Sequence, residues 1–212
     1  MFLEIDIDEK QAERDIIKAL QEETNSILSR ASTHIKLKIR KMIQYRITNS
    51  PEYKSLVNHG QLQGELGLPN PKQAMDDILN IWIKSIRITL RPAKTTGNDI
   101  KAFLDIDMID GTFQDVLGSP SASFTTDSGQ DIPWLEWLLT AGDAVLVRGY
   151  DIVFNSKYSR TGLNIMLKSI TANWRMPPEF SGTVNDNFVT RALEGIDDIL
   201  KDIVSEEITK VL

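Results

Sequence analysis

From about Asp8 to Asn49 the chain contains neither proline nor glycine, and no other feature restricts its fold as strongly. Over the same stretch Ala12, Ile16, Leu20, Ile27, Ala31, Ile35, Ile39, Ile43 and Ile47 mark one stripe at roughly helical spacing. Together these predict a single long helix over 8–49, with a break at Ser29 to Thr33 as the alternative. At about 1.5 Å per residue, some forty residues reach on the order of 60 Å. That is longer than one compact domain of this size needs, so part of the helix is expected to project or to pack on another copy. Its charge is polarised. Asp6, Asp8, Glu9, Glu13, Asp15, Glu22 and Glu23 crowd the first half, while Arg30, Lys36, Lys38, Arg40, Lys41 and Arg46 occupy the second, with no carboxylate between Arg30 and Glu52. The residues Lys36, Lys38, Arg40, Lys41 and Arg46 are therefore candidates for electrostatic contact with DNA or an acidic partner, against the simpler reading of a solvated face. Stacking on bases has little to work with there beyond Tyr45 and Tyr53.

Past Asn49 the punctuation is frequent. Ser50-Pro51 starts a shorter helix through Glu52, Tyr53, Leu56 and Val57, ended by Asn58-His59-Gly60. Gly64 to Pro71 reads as a loop, and Asn70-Pro71 as the start of a helix carrying Ala74, Ile78, Leu79, Trp82 and Ile83 to about Ser85. Ile86, Ile88 and Leu90 alternate with Arg87, Thr89 and Arg91, and Thr95 to Asp99 turns this strand into Ile100 to Ile109, an antiparallel hairpin. Between Asp110 and Ile132 turn residues dominate, with a short strand expected near Ser123 to Thr125. Pro133 opens a helix closed by Gly142, and strands at Val145 to Phe154 and Leu163 to Ile170 pair across Asn155 to Gly162. The expected architecture is α+β: a long amino-terminal helix, a central antiparallel sheet and a long carboxy-terminal amphipathic helix, in one domain over 1–212. Its parts are the long helix (8–49), a helical insertion (51–85), the sheet region (86–170), and a loop with the closing helix (171–212).

That closing segment begins with Trp174-Arg175-Met176-Pro177-Pro178-Glu179-Phe180-Ser181-Gly182-Thr183. Asn185 to Phe188 then opens a helix read as running to Leu212. Phe188, Val189, Ala192, Leu193, Ile196, Ile199, Leu200, Ile203, Val204, Ile208, Val211 and Leu212 recur at three- and four-residue steps, a broad apolar stripe that calls for a partner surface. Pro177 and Pro178 restrict the backbone, so the loop is expected to display Trp174, Met176, Pro177, Pro178 and Phe180, with Phe188, as a shaped docking surface. Trp82, Trp134 and Trp137 read as core.

Chemical signatures are few. The chain has no cysteine, which removes disulfides, thiolate zinc and iron–sulfur sites and cysteine nucleophiles, and suits assembly in a reducing cytoplasm. His34 and His59 are the only histidines, and no G-x-S-x-G, Walker-type or G-x-G-x-x-G segment accompanies them. Asp105, Asp107 and Asp110 invite a hard-cation reading, because strand residues two apart share a face; a metal-dependent nuclease would begin here, against the plainer reading of a polar strand face closed by an Asp110-Gly111 turn. A net charge of −6 argues against a general nucleic-acid coat. The acidic first nine residues do not resemble a basic secretory or transit peptide, and no apolar run is long enough to cross a bilayer, so no membrane partner is expected.

The long first helix, the central sheet, the Pro133-Trp134-Leu135-Glu136-Trp137-Leu138 element and the Asn187-Phe188-Val189-Thr190-Arg191-Ala192-Leu193 segment together resemble the neck and tail-completion proteins of tailed bacteriophages, broadly the group that includes the minor tail protein Z of lambda. In that family a phrase of the form pro–phe–leu–arg–pro–ala–leu opens the last helix. Phe188, Arg191, Ala192 and Leu193 fit it, while Thr190 stands in place of a proline. Ser159-Arg160-Thr161-Gly162 and the Pro178-Glu179-Phe180 loop also look like segments of myovirus structural proteins. The resemblance covers the chain from about Ser50 onward. It implies a non-enzymatic virion protein, assembled in the host cytoplasm without a cofactor as a hexameric or dodecameric ring that joins head to tail. It further implies portal, adaptor or tail-terminator neighbours and non-specific contact with DNA in the lumen. The alternatives are the metal-dependent nuclease and a DNA-binding accessory protein of packaging or head completion.

Overall fold

The computed structural model describes residues 8–97, 99–108, 113–126, 129–159, 162 and 164–212, Met108 by its backbone alone. Where one domain was expected, the chain falls into two compact units. One comprises Met1–Ile39, Arg87–Asp107 and Asp197–Leu212; the other comprises Arg40–Ile86 and Met108–Ile196.

Helix α1 (Glu9–Thr48) matches the expected long rod, with no break at 29–33. Its start is capped by Asp8, whose Oδ1 accepts from the Gln11 N–H at 3.1 Å. In the first unit α1 buries Leu28, Ala31, Ile35 and Ile39, but Ile16 and Leu20 are 60% and 53% exposed. The expected stripe drifted. Each four-residue step turns the helix by about 400°, so Ile16 lies roughly 140° round the axis from Ile39. Turned inward near the amino end are Ile17, Gln21, Thr24 and Asn25, all half-buried. They meet a hairpin formed by β1 (Ile86–Thr96) and β2 (Asp99–Met108), joined at Gly97 with φ 62°. The helix amides replace an apolar seam. Asn25 Oδ1 accepts from the Ala93 N–H at 2.6 Å, Gln21 Nε2 donates to the Ala93 carbonyl at 3.1 Å, and the Thr95 hydroxyl donates to Gln21 Oε1 at 2.6 Å.

In the second unit Ser50 caps α2 (Pro51–Val57), its Oγ accepting from the Tyr53 N–H at 3.1 Å. The segment read as a loop from Gly64 instead begins inside a helix, α3 (Gln61–Leu66), which buries Gly64, Glu65 and Leu66 and ends at the left-handed Gly67. The glycine before it is forced: a Cβ on Gly60 would stand 2.7 Å from Ser55 Cα. Helix α4 (Pro71–Ser85) follows Asn70 as expected. After it come α5 (Gln114–Leu117), a 3-10 turn at Pro120–Ala122, and the two-residue strands β3 (Phe124–Thr125) and β4 (Asp131–Ile132), paired antiparallel. Helix α6 (Trp134–Thr140) leads to a long antiparallel ribbon, β5 (Val145–Phe154) with β6 (Asn164–Arg175), which runs five residues beyond the expected Ile170.

The closing helix is not continuous. Helix α7 (Phe188–Ala192) stops, Gly195 takes φ 62°, and α8 (Asp197–Thr209) restarts and ends before the last residues. Asn187 and Thr190 form a reciprocal capping box: Asn187 Oδ1 accepts from the Val189 and Thr190 N–H groups, and Thr190 Oγ1 accepts from the Asn187 N–H at 2.8 Å. Thr190 thus has a defined local task, closing the cap that starts α7. Among the described residues no helix is long and apolar enough to cross a membrane.

Candidate interaction surfaces

The residues expected to form a displayed docking loop mostly face inward. Trp174, Met176 and Phe188 are 6%, 2% and 1% exposed, and Pro177 is buried, whereas Pro178 is exposed and Phe180 half-buried. The reason is tertiary. Phe188 sets its ring edge-on to Trp82 at 5.5 Å and 76°, and Trp174 tilts against Trp137 at 5.8 Å. The Trp174 indole N–H donates to buried Glu65 Oε2 at 2.8 Å, and Gln61 Nε2 donates to its other oxygen at 2.7 Å. These residues are core, and the expectation of a surface built from Trp174, Met176, Pro177 and Phe188 is corrected.

Arg191 is also structural. Its guanidinium pairs with Glu52, 3% exposed, and with Asp186 at 2.7 Å, tying α7 to α2. Burial works against the Arg191 charge, but hydrogen bonds and attraction from Glu52 and Asp186 outweigh it and hold the group above its ordinary value.

The basic run is largely occupied. In the first unit Lys38 Nζ bridges Glu206 and Glu207 at 2.8 and 2.7 Å, and Lys210 reaches the same two carboxylates at 2.7 Å. Hydrogen bonds from Lys210 and Lys38 pull Glu206 down to about 2 and lower Glu207 as well. In the second unit Arg40 donates to the Ile86 carbonyl at 3.3 Å and Arg46 to the Glu194 carbonyl at 2.8 Å. Lys36 is half-buried and Lys41 exposed. The neutralising groups lie far off in sequence, which is why the run looked unopposed.

Asp105 is engaged by Arg91 across the hairpin, Asp107 is exposed, and Asp110 lies outside the described residues. Among the described residues no cluster of three or more potential metal ligands forms, so the cation reading gains no geometry. His34 and His59 are both exposed; His59 takes a positive φ of 58° and donates its N–H to Gln63 Oε1 at 3.0 Å.

What the sequence reading missed is the shape of the β5–β6 ribbon. Arg148 pairs with Asn173 and Tyr150 with Lys168, so Ser169 to Ala172 lie opposite the single residue Gly149. Gly149 adopts φ 75°, and its N–H donates to Asn173 Oδ1 at 3.3 Å. The Ser169 hydroxyl accepts from the N–H groups of Thr171 and Ala172, closing the protrusion as a tight turn. Ile170 stands fully exposed at its tip, and Val153, Phe154 and Leu167 are exposed on the same ribbon. A glycine between alternating residues at 145–154 was the available signal, since an isolated strand glycine marks a bulge. Beside the ribbon a cleft of about 460 Å³ is lined by Glu65, Trp137, Val147, Ile165, Met166 and Trp174, among others.

No family model, curated protein or solved structure matches the chain.

Proposed function

We propose that this chain is a structural virion protein of a tailed phage, a subunit that associates with copies of itself into a ring in the neck or tail-completion region and joins head to tail. The observation that carries the self-association is the projecting apolar tip at Ile170, with Leu167 exposed three residues before it and Val153 and Phe154 exposed further along the same ribbon. A two-stranded ribbon leaves backbone donors and acceptors on both outer edges, and an apolar knob on such a ribbon is stable in water only at a cost. Burying one fully exposed side chain of this kind contributes about 1.5–3 kcal/mol; Ile170 is fully exposed and the other three about half-exposed, so together they supply on the order of 4–8 kcal/mol against the roughly 4–15 kcal/mol that association costs. A single contact of this kind is weak. A closed ring, in which each protomer gives its ribbon to one neighbour and receives another, repeats the contact without leaving an open end. The virion setting is supported by the resemblance of the 133–138 element and of the Asn187 to Leu193 segment, whose Phe188 and Arg191 anchor the second unit. The neighbours are a portal, adaptor or tail-terminator ring.

The test is the mass of the purified protein by light scattering, with Ile170→Asp alongside, and co-purification with portal and tail proteins from infected cells. The expected result is a ring-sized particle that Ile170→Asp reduces to monomers, and recovery with virion neighbours. A chain that stays monomeric and ignores every virion protein overturns the proposal.

A further inference from the structure

The first unit carries a second surface of different character. An open cleft of about 520 Å³ lies between the first turns of α1 and the tip of the hairpin, lined by Lys10, Glu13, Arg14, Lys18, Thr95 and Gly97, with Ile17 and Gln21 at its floor. Lys10, Arg14 and Lys18 stand at four-residue intervals, which spaces the cations about 6 Å apart along roughly 12 Å of helix. At about 100° per residue the three span only some 80° of the helix circumference, on the hairpin side. Of the carboxylates that make this half of the helix look acidic in sequence, Asp8, Glu9, Asp15 and Glu23 lie off this row, and Glu22 continues it one turn beyond Lys18 without lining the cleft. Glu13 is the one carboxylate lining the cleft, against three cations. Among the described residues none of the three cations forms an ion pair, although Asp15 and Glu22 lie within helical reach of Lys18; Asp15 instead accepts from Gln11 Nε2 at 3.0 Å. All three are exposed. On the opposite wall Gly97 has open space where a Cβ would stand, so the hairpin tip leaves room for a ligand backbone.

We propose that this cleft is a phosphodiester-binding site that grips the backbone of a nucleic acid without reading its sequence. A row of evenly spaced cations in an open groove fits a polymer of regularly spaced phosphates, and nothing in it offers donors and acceptors placed for base edges. The site belongs to the first unit alone and does not depend on the ring proposal. A chain that forms rings without binding nucleic acid sinks this inference only, and a monomer that binds nucleic acid sinks only the other.

The experiment is fluorescence anisotropy of the full chain with a labelled duplex of about 25 base pairs and, separately, a single strand of the same length, at several salt concentrations. Three released counterions give an expected slope of log K against log salt of about −2 to −3. Comparison of the two arms identifies which form is bound. The triple variant Lys10→Gln/Arg14→Gln/Lys18→Gln should bind at least tenfold more weakly with a slope near zero, while Lys54→Gln/Lys72→Gln, at exposed positions outside the cleft lining, binds as the parent does. These are exposed positions on a helix, so circular dichroism of the triple variant should match the parent. No salt-dependent binding to either form, equal binding by the triple variant, an equal loss in the control, or displacement by polyglutamate as effective as by unlabelled nucleic acid each overturns the inference.

Discussion

Replacing Phe188 by alanine separates the core role of that residue from the interface role its sequence position suggested. Phe188 is 1% exposed and Trp82 0%, and the two rings meet edge to face at 5.5 Å. Truncating a buried phenylalanine costs about 3–5 kcal/mol, and losing an edge contact of about 0.5–1.5 kcal/mol places this site toward the upper end. One term acts the other way. The Trp82 indole nitrogen is buried with no hydrogen-bond partner among the described residues, so water entering the new cavity can satisfy it and recover about 1 kcal/mol. The net expectation is about 3 kcal/mol. For a chain of this length that lowers Tm by roughly 6–12 °C. The measurement is thermal unfolding by circular dichroism in an Ile170→Asp background, which removes the dependence of Tm on protomer concentration. Ile170→Asp alone, at a fully exposed tip, should change Tm by no more than about 2 °C. A Phe188→Ala substitution that leaves the melting of the Ile170→Asp chain unchanged, yet abolishes self-association when made in the chain that keeps Ile170, would refute the reasoning and return Phe188 to the surface.

Arg191→Met should cost about 2 kcal/mol, below the roughly 3–5 kcal/mol of a fully buried pair because its side chain is 35% exposed and water shares the charge. In a double-mutant cycle with Glu52→Gln, urea unfolding should show coupling above about 1 kcal/mol, and strict additivity would mean the pair is inert. Acid should loosen α8 within the first unit. Hydrogen bonds from Lys210 and Lys38 hold Glu206 at about 2 and lower Glu207, so their contribution is fully present above the unfolded value of 4.5 and is lost as pH falls from there toward 2. Amide exchange across α8 should accelerate over that window, and Lys38→Gln/Lys210→Gln should flatten the response; constant protection from pH 5 to 2 in the parent would show that the carboxylates do not hold the helix.

Local chemistry alone determined the α+β class, the α1 rod, the Ser50-Pro51 and Asn70-Pro71 helix starts, and both long hairpins, because caps, prolines and alternation act between near neighbours in the chain. The break at Gly195 was also readable, since a glycine inside an apolar stripe is a stop signal, and the continuous period around it hid it. Other features waited for the third dimension. Which side of α1 turns inward depends on a drift of about 40° per four-residue step that a list of apolar positions conceals. Whether Lys38 is free depends on Glu206 and Glu207, and whether Phe188 is displayed depends on Trp82, more than a hundred residues away in each case. Burial and charge are properties of a residue's surroundings in space. The protrusion at Ile170 and the cation row beside Gly97 are legible as surfaces only once the folded backbone has shown which side chains it leaves in water.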